Sequence, residues 1–121
     1  MTEKGLELVE LVVRSASEKK ARDIIAMDME GISLLADYFV VMHGNSDRQV
    51  GAIKRGILDA ASEAGVTINS VEGKEENEWL LIDLGDVIVH VFQSEVRSFY
   101  NLEKLWSDAP TVDISQWITE E

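Results

Sequence analysis

The stretch EWLLIDLGDVIVHVF, residues 78–92, consists of two apolar runs pinched by a short polar break. Gly85 stands between Leu84 and Asp86, where a residue free to take positive φ closes a tight hairpin. The pattern predicts two strands, 78–84 and 86–93, joined antiparallel. Side chains alternate along a strand, so Trp79, Leu81 and Asp83 share one face and Leu80, Ile82 and Leu84 the other. In the second strand Val87, Val89 and Val91 share one side, and Asp86, Ile88, His90 and Phe92 the opposite one. An aspartate and a histidine on one hairpin raise the question of a catalytic pair. A catalytic base needs a nucleophile or reacting group within hydrogen-bond reach, and the sequence offers no recognisable one. His90, flanked by apolar residues on its own face, is expected to be a half-buried strand histidine bonded to nearby backbone or a carboxylate.

Working outward, residues 3–20 carry Leu6, Val9 and Val13 at helical spacing, with Leu8, Leu11 and Val12 widening the stripe. Lys19 and Lys20 suit the C-terminal end of that helix. A first strand is expected over Asp23–Asp28 and a second over Ala36–His43. Ser46-Asp47-Arg48-Gln49 is a capping box, followed by an apolar stripe from Val50 to Ala64 and a stop at Gly65, so 46–64 should be a helix on the sheet. VTINSVEG (66–73) supplies a third strand and KEENE a charged loop. Ser94 caps a last helical segment, 95–106. Beyond Pro110 the chain turns polar, with Ile114, Trp117 and Ile118 as residues able to dock back. The order α-β-β-α-β-β-β-α implies one α+β domain over 1–110, with a mixed five-stranded sheet flanked by helices, and an acidic tail over 111–121.

Eleven Lys and Arg face 23 Asp and Glu, a net charge of −12. Phosphate backbones repel such a chain, which argues against direct DNA binding and leaves RNA contacts minor. Anionic membranes are disfavoured likewise, and no apolar run approaches the roughly 20 residues of a membrane span. A basic protein is the natural complement. The N-terminus lacks the pattern of a secretory signal, and a cytoplasmic location is expected. Without cysteine, and with two isolated histidines, no metal site and no cofactor are expected. In HGNSDRQ, one glycine falls short of a phosphate-binding loop, and Asp47 sits where the anion would go. The acids of DLGD, Asp83 and Asp86, belong at a hairpin tip. The aromatic residues Trp79, Tyr100 and Trp106 fit either a core or an interface. Trp79 and Tyr100 are assigned to a contact surface and Trp106 to the core.

KKARDIIAMDM, ADYFVVMHGNSDRQVGAI, VEG, EWLLIDLGDVIVHVF and RSFYNLEKLW occur in that order over about residues 6–110. Together they resemble the ribosomal silencing factor family, also called the Iojap family. The run DLGDVIVHVF followed by R-x-F-Y-x-L-E-x-L-W makes the match specific. The resemblance implies a fold related to nucleotidyltransferases without their activity, and the G-S motif followed by a D-x-D strand is absent here. It further implies a non-enzymatic factor without cofactor. Such a factor binds the large ribosomal subunit on that subunit's protein fourteen, blocks joining of the small subunit, and lowers translation when nutrients are scarce. Family contact positions map onto Trp79 and Tyr100, with Asp83, Asp86 and Arg97 as neighbours. Arg97 has a second reading, ordering the hairpin by pairing Asp86 or Glu95. Two alternatives stand beside this one. The first is a degenerate nucleotidyltransferase using Asp83 and Asp86 with a divalent ion. The second, compatible with the family role, is a homodimer of the free protein through exposed strand edges.

Overall fold

In the computed structural model of the chain, the hairpin forms where the alternation demands it. The structure describes residues 2–34, 36–73, 78–100, 104 and 109–118, with the side chains of 2–4 and 98–100 outside the description. Strands β4 (Trp79–Asp83) and β5 (Val87–Gln93) pair antiparallel, Asp83 opposite Ile88 and Trp79 opposite Phe92. Gly85 turns the chain at φ +92°, and the Leu84 amide donates to the Val87 carbonyl at 2.9 Å.

Four further strands complete the sheet: β1 (Arg22–Asp28), β2 (Tyr38–Gly44), β3 (Ser70–Gly73) and β6 (Thr111–Val112). Their order is β3-β4-β5-β2-β1-β6. Among the described residues only β2 and β5 run parallel. A parallel pair needs a long crossover, and here it carries the helix α2 (Asp47–Glu63) together with β3 and β4. Helix α1 (Thr2–Glu18) lies beside α2. The two cover one face, where Val9, Val12 and Val13 meet Val50, Ile53 and Ile57 over Val40, Met42, Ile82 and Val89. Met27, Phe39, Val41, Ile88 and Phe92 form a smaller cluster on the opposite face, beside the short helix α3 (Ser94–Tyr100).

The helix caps follow from the residues. Ser46 caps α2 by accepting from the Gln49 amide at 3.1 Å. The Gln49 carboxamide oxygen accepts from the Asn45 amide at 2.7 Å, and its Nε2 donates to the Lys20 carbonyl at 2.8 Å. Gln49 therefore ties the start of α2 to the turn after α1. Gly65 ends α2 at φ +77°. Helix α1 stops at Glu18 and not at residue 20. Lys20 takes φ +67°, and the Ala21 and Lys20 amides donate back to the Ala16 and Ser17 carbonyls at 3.1 and 2.9 Å, closing the end with a left-handed residue.

Among the described residues the sheet has six strands, where five were expected. The sixth comes from the chain after Pro110. Val112 pairs with Ala26, the Asp28 amide donates to the Pro110 carbonyl at 2.8 Å, and Ile114 enters the main core with Trp117 and Ile118 packed around it. The third strand is shorter than 66–73: it begins at Ser70, just after the Asn69 amide has donated to the Asp83 carbonyl at 2.8 Å. Most of the KEENE loop and Trp106, with its expected place in the core, lie outside the described residues.

Candidate functional site

The sheet face of β4 and β5 opposite α1 and α2 carries Trp79, Leu81, His90 and Phe92. Register puts Trp79 across from Phe92 and Leu81 across from His90. Trp79 is half-buried, its ring centroid 5.1 Å from that of Phe92 and 6.0 Å from that of His90. The Trp79 indole Nε1 donates to His90 Nδ1 at 3.2 Å. The His90 ring also stacks near Phe92, at 6.4 Å and 11°, and meets Phe39 at 5.1 Å and 60°.

His90 departs from expectation. It is only 4% exposed, and the hydrogen bond seen for it comes from an indole, not from backbone or a carboxylate. The cause is its place on β5, which has β4 on one side and β2 on the other, while Phe39, Trp79 and Phe92 close over the ring. Burial pushes its pKa down from 6.5 to about 4, so the ring is neutral near pH 7. With Nδ1 accepting, the ring proton belongs on Nε2. That atom is buried and finds no hydrogen-bond partner among the described residues.

Beside Trp79, a concavity of about 210 Å³ is lined by Glu72, Gly73, Trp79 and Leu81. A Cβ on Gly73 would come within 2.5 Å of Leu80 Cδ2, so a larger residue there would require the Leu80 side chain to shift. Asp83, half-buried, accepts at Oδ1 from the Gly85 amide at 2.9 Å and from Asn69 Nδ2 at 3.4 Å, so it braces the hairpin. Asp86 is exposed, and its carbonyl receives the Asp37 and Tyr38 amides at 2.9 and 3.1 Å. Among the described residues no three His, Asp or Glu side chains come together as a metal site.

Arg97 is 7% exposed. Its Nη1 donates to His43 Nδ1 at 3.0 Å and to the Arg22 carbonyl at 3.4 Å. His43 pairs in register with Phe92, at the end of the sheet remote from the hairpin carrying Asp86. The Asp86 pairing read for Arg97 is thus replaced by a bond between α3 and β2. Tyr100 closes α3, with its side chain outside the description. The bond from Trp79 to His90 was missed from sequence, although the register could be counted back from Gly85. His90 lies diagonally across from Trp79, at a separation long aromatic side chains bridge.

The family described as "Ribosomal silencing factor during starvation" matches residues 2–121, which takes in the segment after Pro110. "Ribosomal silencing factor RsfS" of Bacillus subtilis is 54% identical over 107 residues, 88% of this chain and 91% of that protein. A crystal structure from Bacillus halodurans superposes with a TM-score of 0.79 at 49% identity, covering 89% of this chain and 98% of that one. More distantly, "Mitochondrial assembly of ribosomal large subunit protein 1" of Mus musculus is 31% identical over 105 residues, 82% of this chain and 45% of that protein.

Proposed function

Since the chain belongs to the ribosomal silencing factor family, we propose that it docks on the large ribosomal subunit through that subunit's protein fourteen and keeps the small subunit from joining. The observation that carries this reading is Trp79, a half-buried ring held by a hydrogen bond at the margin of an open sheet face, next to Leu81 and a shallow concavity. Large rings of this kind anchor protein interfaces, because they bring contact area with few rotatable bonds. The name of the mouse relative refers to the large ribosomal subunit, which supports the choice of subunit.

The charge narrows the docking place. A chain of net charge −12 is repelled by ribosomal RNA and attracted to basic protein exposed between RNA segments. Trp79 and Tyr100 would stand at the centre of the contact, with Asp83 and Asp86 toward its rim. Strand β4 spans only ~13 Å, so one patch of about 800 Å² covers both its ends. Arg97 would act from beneath, fastening α3, the helix that ends at Tyr100, to β2. The action is occupancy. It needs no cofactor and turns nothing over, and it would lower translation in the cytoplasm when nutrients are scarce. Free in solution, the edge strand β3, with Val71 exposed, offers a second copy a place to pair.

The test is sedimentation followed by crosslinking. The purified protein is expected to pellet with large subunits and not with small ones. A photoreactive residue at Glu72 should crosslink to protein fourteen. Crosslinks confined to ribosomal RNA would overturn the proposed docking place.

A further inference from the structure

We propose that His90 is a positioning residue for the partner contact: it accepts the indole proton of Trp79 and fixes the plane in which that ring meets the partner. The proposal rests on the reading of Trp79 as a contact residue.

Three observations support it. First, the indole has a single donor, and a partner that covers the ring must either satisfy that donor or leave it without a bond. His90 Nδ1, 3.2 Å from Nε1, satisfies it from within the protein, so the contact needs no acceptor from the partner. Second, the acceptor cannot drift. His90 sits on a strand paired on both sides, and its ring is held between Phe39 and Phe92. A ring fixed before binding loses less conformational freedom on binding. Third, packing alone would be served better by another side chain. A phenylalanine would fill this aromatic cluster without carrying a buried polar atom, whereas Nε2 of His90 has no hydrogen-bond partner among the described residues. The polar ring therefore sits in a place that disfavours it, and the bond it makes there is the one to Trp79.

Four variants and one spectrum test this. Binding to purified large ribosomal subunits is measured for Trp79→Ala, His90→Phe, His90→Gln and the double variant Trp79→Ala/His90→Phe, each checked for folding by circular dichroism. Trp79→Ala is expected to weaken binding about 30-fold or more. His90→Phe should weaken it about 10-fold, and His90→Gln, whose carboxamide oxygen can accept the indole proton, should recover most of that loss. On the Trp79→Ala background, His90→Phe should add nothing. An equal loss in both backgrounds would assign His90 to the fold alone and overturn the proposal. Unchanged binding by Trp79→Ala would instead overturn the reading of Trp79 itself. Nitrogen-15 spectra of the unaltered protein are expected to show His90 protonated at Nε2 and a Trp79 indole proton protected from exchange. A rapidly exchanging indole proton would overturn the proposal even if the His90 variants fail to fold.

Discussion

Arg97 Nη1 donates to His43 Nδ1 at 3.0 Å, so the helix that leaves the sheet after β5 is fastened to the end of its parallel neighbour β2. A guanidinium keeps its proton under all ordinary conditions, and one this deeply covered has to be met by acceptors. Arg97→Ala removes the donor and with it the bonds to His43 and the Arg22 carbonyl. The expected loss is about 2 kcal/mol in urea unfolding. A variant as stable as the parent protein, yet weaker in subunit binding, would return Arg97 to the partner surface.

Acid should weaken the fold through His90. Its folded-state pKa is lowered by burial from 6.5 to about 4. Between those values the unfolded chain holds a proton that the folded chain does not, so stability rises with pH across that window. The stabilisation is complete above pH 6.5 and is lost as pH falls toward 4, roughly 3 kcal/mol in all. Urea midpoints at pH 7 and pH 4.5 should differ less in His90→Gln, which has no titrating ring, than in the parent. Equal shifts in the two proteins would show that His90 titrates near its ordinary value.

The segment after Pro110 is expected to contribute to stability. Ile114, 8% exposed, packs into the main core, and β6 closes the β1 edge of the sheet. Ile114→Ala should cost about 2 kcal/mol, measurable as a lower urea midpoint at constant slope. No change would mean that this segment only rests on the surface.

Lys20 takes a left-handed backbone conformation that glycine adopts without strain. Lys20→Gly should gain about 0.5 to 1 kcal/mol, the relief of that strain less the added freedom of glycine in the unfolded chain. The bond from Gln49 goes to the Lys20 carbonyl and survives the substitution. A loss of stability would mean that the Lys20 side chain contributes more than its backbone costs.

The parts of the fold legible in the sequence were those in which local signals agreed. The capping box at Ser46 and Gln49, the stop at Gly65 and the turn at Gly85 all formed where short-range chemistry placed them. β6 was not legible as a strand, because two residues carry no alternation to read. Thr111 and Val112 become strand only because β1 presents an unpaired edge to them. Lys20 misled for a related reason: a helix stop is usually announced by glycine, and here a lysine adopts the same backbone. At the candidate site, alternation placed Trp79 with Leu81 and His90 with Phe92, each pair on one face of its own strand, and the register then set the two pairs side by side. Alternation could not show that Phe39, brought from β2 by the parallel pairing, would help close over His90 and turn a half-buried ring into a buried one. The second reading of Arg97 sought its partner at Asp86 or Glu95, whereas the bond to His43 spans 54 positions of the chain, which the β2–β5 pairing brings together.

Occupancy of the large subunit is the proposed mode of action of this protein. The most direct measurement is the joining of purified large and small subunits, followed by light scattering as the protein is added in excess. Formation of whole ribosomes should fall with increasing protein and recover when Trp79→Ala is used instead. Undiminished joining, with the large subunits saturated by the protein, would contradict the account.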